Sequence, residues 1–518
     1  MSITLPEMKN HISRVLALVF VVAAVTSGGA RSADPIDRIR EADLKSDLFT
    51  LAGDAMRGRE GGTLDELNAS MWIAERARQA GLQPAGDNGT FFQFFPLERY
   101  RVSATSVVAL GGKALRMGRD VVPDNTVLAD LDVPVVMASA DALTGVAMTG
   151  KALVVRYVPP WAPAGGPNQS SPNQASGLRA WLRGIQRSVA AENPAAIVAI
   201  VPDEFRDQWD RTAYTFPRGT YALDPAGTAE PRVSVRGVPM LYVKESALGG
   251  ALPADAHLSA SIFTDSFQYP SVNIIAKVPG KDPKLRDEYV LYSAHQDHDG
   301  VRYPVIGPQG RDAIWNGADD NATTAVALLA IGRAVVASPG RRSSLFIWHG
   351  SEERGLMGSR WYVTHPIVPL KAIVACLNGD MIGRNDPNTA ALLGAVGPHR
   401  NSPELVDMAL AANASVTKFT IDSSWDDPQH REGWYYRSDH LPYARMGVPA
   451  LFFTTLLHPD YHTPMDNPDR IDLAKLTRMT RWMYATGRAV SEANKAPAAD
   501  PNFKLERCRD FTGDYCAK

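Results

Sequence analysis

The stretch SSLFIWHGSEERGLMGS, residues 343–359, drives an apolar run into two adjacent glutamates, Glu352 and Glu353, at a glycine-rich turn. Like charges side by side repel, and burying either one without a partner is costly, so compensation must come from elsewhere in the chain. Four other stretches carry groups of the needed type. YVLYSAHQDHDG holds His295 and Asp297 just past an apolar run, and WNGADDNATTAV holds Asp319 and Asp320 between a glycine turn and a helix-like segment. ACLNGDMIG holds Asp380, and PALFFTTLLHPDYHTPMDN holds Tyr461 and His462. Singly, such acidic pairs are ordinary on solvated surface. Two histidines and several carboxylates, each at the end of a strand-like run or the start of a helix-like one, are improbable as decoration. Histidine with carboxylate and no thiolate is the donor set of a borderline divalent ion, zinc first.

Charge balance bears on the number of ions. Suppose His295 and His462 bind as neutral ligands and Asp320, Glu353 and Asp380 as charged ones. Two divalent ions then leave one positive charge, which a hydroxide cancels. A single ion leaves two of these carboxylates poorly compensated in a partly buried pocket. The residues therefore favour two metals.

The elements that must position these groups follow from the pattern around them. From 269 onward, β-type and helical runs alternate: YVLYSA, SLFIWH, AIVACL and PALFFTT read as parallel strands, and ATTAVALLAIGRAVVA as a helix between the first two. Such alternation predicts an α/β catalytic domain over 269–495, a mixed and mostly parallel sheet covered by helices on both faces. Ligands in these folds gather at the carboxyl ends of the strands. Residues 31–100 read as the N-terminal part of the same domain, with helical spacing up to Gly81. Residues 101–268 shift to short β-like runs, SVVAL, KALVVRYV, AAIVAIV and VPMLYV, split by Pro/Gly-rich stretches, with one helical candidate at 178–191. This part has no cluster of histidine and carboxylate and is expected to be an inserted β-rich domain without the chemistry.

The chain of 518 residues is 45% hydrophobic, and its 54 Lys and Arg nearly balance 56 Asp and Glu. No basic field points to nucleic acid or an anionic membrane. Lys9 and Arg14 precede the apolar run VLALVFVVAAV and small residues ending near Ala30. Residues 1–30 thus read as a signal peptide, with an apolar run shorter than the roughly 20 residues a span requires. The expectation is export, periplasmic or extracellular, with no stable membrane insertion after cleavage. Cys508 and Cys516, in the tail 496–518, could close a short disulfide loop, whereas Cys376 reads as a buried small hydrophobe.

In order, HQD, GADDN, SEERGLMGS, GDMIG, SDH and YHTPMD resemble the co-catalytic dizinc aminopeptidase family, of zinc-exopeptidase fold. That family includes bacterial leucyl aminopeptidases, glutamate carboxypeptidase and the catalytically silent transferrin-receptor ectodomain. The resemblance is close over 269–490 and loose over 35–100, and 101–268 is similar to a protease-associated (PA) domain, a common insert. It implies hydrolysis of peptide bonds at the free N-termini of peptides or proteins, with two Zn2+ per chain. Asp320 would bridge the ions, His295 and Asp380 would complete one set of ligands, and Glu353 and His462 the other. Glu352 would be the general base, Asp297 would sit behind His295 and fix its ring, and Tyr461 would hydrogen-bond the developing oxyanion. Asp439 and His440 match a family element near the site with no direct metal role. The family's usual Ser-Gly pair is replaced by Thr323 and Thr324, which removes no ligand but slightly disfavours the first helical turn. His298 and Asp299 continue the HQDHD run, already taken up by His295 and Asp297, and receive no direct role. His349 reads as a satisfied core residue.

Two rival readings use the same residues. The metals could serve a carboxypeptidase, a dipeptidase or a glutaminyl cyclase. A carboxypeptidase needs arginine to hold a terminal carboxylate, and Arg431 and Arg437 keep that open. A non-catalytic binding ectodomain predicts missing ligands, whereas all five and the base are present. The aromatic stretch SSWDDPQHREGWYYRSDH is a candidate wall for the pocket.

Overall fold

The computed structural model describes residues 34–124, 127–158, 175–223, 237–307 and 310–505. The expected leader at 1–30, and Cys508 and Cys516, lie outside these residues. The four runs read as parallel strands pair side by side in the order Ala450–Thr454, Ile373–Gly379, Tyr289–His295 and Ser343–His349, all parallel. Successive side chains of a strand point to opposite faces. Val290, Tyr292 and Ala294 accordingly join one helical layer, and Leu291 joins the other with Cys376. Burial pushes the Cys376 thiol up to about 12, so it is an inert packing residue.

Within this sheet, among the described residues, parallel pairing otherwise occurs only between Thr389–Leu393 and the edge strand Thr420–Ile421. On the far side of Ser343–His349, the strands Thr264–Val278, Phe92–Val102 and Thr220–Leu223 all run antiparallel to their neighbours. The sheet is therefore mixed, with its parallel part at the centre, where the candidate residues lie.

Helix Thr323–Ala337, apolar all round but for Thr323, Thr324 and Arg333, is buried on nearly every side. With the turn before it, this helix is long and apolar enough to cross a membrane, but it is the core helix of the domain. Leu473–Glu492 and Pro403–Ala412 complete that layer, while Met357–Thr364 and His440–Arg445 cover the opposite face. Gly487 lets the long helix approach the central strand: a Cβ there would lie 1.9 Å from the Tyr292 hydroxyl. Gly487→Ala is expected to destabilise the domain by about 1–3 kcal/mol. The check is a lower urea midpoint at unchanged slope.

Phe92–Val102 and Thr264–Val278 pair from Phe92 opposite Ile274 to Val102 opposite Thr264. This antiparallel ribbon leads the chain out of the large sheet and back. The boundaries read at 100/101 and 268/269 fall inside it, because a continuous pair of strands serves both parts. Between its ends lies a second sheet of eight strands with its own core, including Val154, Val198, Leu241 and Leu258. The helical candidate at 178–191 is observed as Ala175–Ser188. One strand within the 101–268 segment does not stay there. Thr220–Leu223 pairs with Phe92–Val102 of the large sheet and brings the turn Phe216–Arg218 with it.

Candidate metal centre

The candidate residues converge at the carboxyl ends of the central strands. His295 is the last residue of its strand. Ser343–His349 is followed by Gly350, where a Cβ would meet the Val272 carbonyl at 2.4 Å, and by Ser351 with φ +53°. This sharp turn starts the short helical turn Glu352–Arg354. The Asp297 carboxylate accepts hydrogen bonds from the backbone amides of Glu352 (2.9 Å) and Glu353 (3.3 Å), and so sets where both glutamates begin. Asp466 does the same for the opposite wall, accepting from the amides of Asp319 and Asp320 at 3.0 and 3.1 Å. Asp319 itself turns away and accepts from the Gly383 amide.

Asp320 faces two histidines at once: Oδ1 lies 3.1 Å from His295 Nε2, and Oδ2 lies 3.0 Å from His462 Nε2. Asp380 Oδ2 is 3.5 Å from His295 Nε2, and Glu353 Oε2 is 3.2 Å from His462 Nε2. Ser438 donates to Asp380 Oδ2 at 2.8 Å and is itself fixed by Asn378. Donor atoms lie within 4.8 Å of one another in two groups, His295 with Glu352 and Asp380, and His298 with Asp320, Glu353 and His462.

Two assignments change in detail. His298, given no direct role from sequence, belongs to the second group, with Nδ1 2.7 Å from Glu353 Oε1. Gly317 makes room for its ring, because a Cβ there would sit 2.2 Å from His298 Cγ. Asp297 meets the His295 ring chiefly through its backbone carbonyl, 3.0 Å from Nδ1, while its carboxylate is 3.8 Å away and engaged by the two glutamate amides. The carboxylate therefore positions the glutamate turn as well as standing behind the histidine. His349, by contrast, sits in the core between Asn273 and Tyr443.

The adjacent glutamates are driven apart electrostatically. Burial, with Glu353, Asp439 and Asp380 nearby, holds the Glu352 carboxyl well above the usual range despite His295. Burial also acts on Glu353, but His462 and His298 outweigh it and keep its carboxyl well below that range. Neighbouring carboxyls with opposed proton affinities suit division into an acid–base group and a permanently charged one. Burial penalises charge on His295 and His462, yet the surrounding carboxylates raise both well above the ordinary imidazole value. The pocket is thus strongly anionic. Buried His295 Nε2, Glu353 Oε1 and Asp380 Oδ1 make no well-directed hydrogen bond, although other donor atoms of the site lie close to the first two. Unsatisfied buried donor atoms facing one another, from histidine and carboxylate only, fit divalent zinc.

Over this centre lies a cavity of about 230 Å³ walled by Trp434, Tyr436, Arg437 and Tyr461, with Glu352 and Asp380 at its floor. Arg437 packs over Trp434 and donates to Tyr461 Oη at 2.9 Å. Arg431 is exposed and pairs with Glu432.

Residues 273–487 match the model of Peptidase family M28. Over these residues the chain is similar to peptidase family M28. A probable leucine aminopeptidase of Arthroderma otae is 27% identical over 238 residues, 44% of this chain and 59% of that protein. Aminopeptidase YwaD of Bacillus subtilis is 26% identical over 280 residues, 52% of this chain and 54% of its own length. The chain thus spans little more than half the length of these relatives. In fold, it is similar to the structure of BSAP, a zinc aminopeptidase from Bacillus subtilis, with TM-score 0.54 at 17% identity, covering 90% of this chain and 99% of that one. All five expected ligands, the base candidate and His298 lie within the matched residues 273–487, whereas the eight-stranded sheet lies outside them.

Proposed function

We propose that this chain is an exported zinc aminopeptidase that removes N-terminal residues from peptides, using two metals and Glu352 as general base. The carrying observation is Asp320, whose two oxygens face His295 and His462 at 3.1 and 3.0 Å and so suit a carboxylate shared by two ions. His295 and Asp380 would hold one ion, and Glu353 and His462 the other, with His298 beside the second. The aminopeptidase relatives support the bond cleaved, and the leader-like residues 1–30 support export.

When bound, the zinc ions would polarise the scissile carbonyl and acidify a water molecule. Glu352, with its raised proton affinity, accepts the proton of the attacking water and returns it to the leaving amine. Burial keeps the Tyr461 hydroxyl protonated, and Arg437 occupies its oxygen. The tyrosine proton is thereby free to point into the cavity, toward charge developing on the carbonyl oxygen.

Arg437 also favours a second reading, in which the cavity takes substrates with a carboxylate near the scissile bond, such as free dipeptides. One assay separates the two: purified protein with quantified zinc, tested on aminoacyl-nitroanilides, their N-blocked forms, free dipeptides and C-terminal substrates. The expected result is two zinc ions per chain and cleavage only where the N-terminus is free. Cleavage of N-blocked substrates alone would overturn the aminopeptidase reading, and strong preference for dipeptides would favour the second.

A further inference from the structure

Directly behind His462 lies a buried knot of charge that the reaction above does not use. At its centre is Asp299, whose side chain is 3% exposed and whose Oδ1 lies 3.2 Å from Nη1 of both Arg218 and Arg354. Arg302 pairs with the other oxygen, Oδ2. Arg218 also donates to the Asp299 carbonyl at 2.5 Å. Glu60 Oε1 joins from the N-terminal segment, 2.8 Å from Arg218 Nε and 3.5 Å from Arg354 Nη2. The groups of this knot thus come from four stretches of the chain. Arg354 directly follows the paired glutamates, and Arg218 comes from the segment between the two halves of the peptidase domain.

One arginine would neutralise Asp299, and burying several charges together rarely stabilises a fold better than apolar packing would. The orientation suggests what the cluster does. Asp299 Oδ2 lies 3.5 Å from His462 Nδ1, while the same ring turns Nε2 to Asp320 and Glu353. A carboxylate on the far nitrogen of a ligand histidine fixes its tautomer and ring orientation and makes the near nitrogen a better donor. The arginines keep that carboxylate charged and aimed. Arg218 is aimed in turn by Arg99, which donates to the carbonyls of Arg218 and Pro217 at 2.5 and 2.6 Å.

We propose that Asp299 is the positioning carboxylate of His462 and that Arg218, reaching across from the inserted segment, holds it in place, so that this segment helps to build one of the two metal positions. The proposal rests on the two-metal reading. It assigns the inserted segment a structural share in metal binding, although that segment supplies no ligand.

The test uses the full chain and reads zinc affinity by competition with a chromophoric chelator. Asp299→Asn is expected to weaken one zinc step by about 10–100-fold, the usual range for an outer partner of a ligand histidine, and to leave the other unchanged. Arg218→Ala is expected to weaken the same step by a smaller factor, with Arg218→Lys in between. In a His462→Ala background, Asp299→Asn should cause no further loss, because its effect runs through that ring. Arg76→Ala, which breaks the distant Arg76–Asp47 pair, controls for general destabilisation. The proposal fails if Asp299→Asn leaves both steps unchanged, if it weakens both equally as the control does, or if its effect persists without His462. If Asp299→Asn does not fold, Arg218→Lys and Arg218→Ala decide by the same criteria. A wild-type protein that binds only one zinc overturns the two-metal reading instead; the His462→Ala background then tests the positioning role on that single step.

Discussion

Glu352→Gln is expected to lower turnover of an aminoacyl-nitroanilide by roughly 10³- to 10⁴-fold, the upper range for loss of a general base, with zinc content unchanged. The amide keeps the size of the carboxyl but has no proton-accepting oxygen of comparable basicity. Asp297 still places its backbone, because the contact is to the Glu352 amide nitrogen. Zinc should stay because Asp320, Asp380 and His295 all remain. Glu353→Gln is expected to behave in the opposite sense, losing metal first and activity as a consequence, because its oxygens face His298 and His462. Paired zinc analysis and steady-state kinetics check both. Wild-type turnover by Glu352→Gln would remove it from the reaction, and zinc loss in that variant would make it a ligand.

Asp320→Asn should have the broadest effect on metal. Among the described residues, no other side chain meets both His295 and His462 through separate carboxylate oxygens. Burial and the Glu353 charge push its carboxyl up, but the histidines outweigh them and hold it below the usual range. An amide in its place removes that charge and offers nitrogen to one of the two groups. Both zinc affinities should fall, each by at least about 10²-fold, beyond what outer partners alone cost. Loss confined to one of two chelator-resolved steps would show that Asp320 serves a single ion.

Much of this centre could be read along the chain because each part of the signal is local. Glu352 and Glu353 are neighbours, His295 and Asp297 are two residues apart, and each ligand candidate adjoins an apolar run, Asp320 before one and the others after one, whose burial its own composition demands. The four central strands were recognisable for the same reason. The resemblance of the ordered motifs to a zinc peptidase family then supplied roles that spacing alone could not assign.

What escaped is what depends on partners far along the chain. Strand-like periodicity reports which side chains share a face and carries no information on partner or direction. Hence the outer antiparallel pairings, and the ribbon crossing both presumed domain boundaries, emerged only in three dimensions. His298 looked redundant beside His295, and only the folded turn at Gly317 brings its ring to Glu353. Asp299 and Arg218, 81 residues apart, carry no mutual signature in the sequence. Residue types and short spacings determine what chemistry a segment can offer, because they set donor atoms and local charge. Which nitrogen faces which oxygen is decided by packing, which joins segments whose separation along the chain is unrelated to their distance in space.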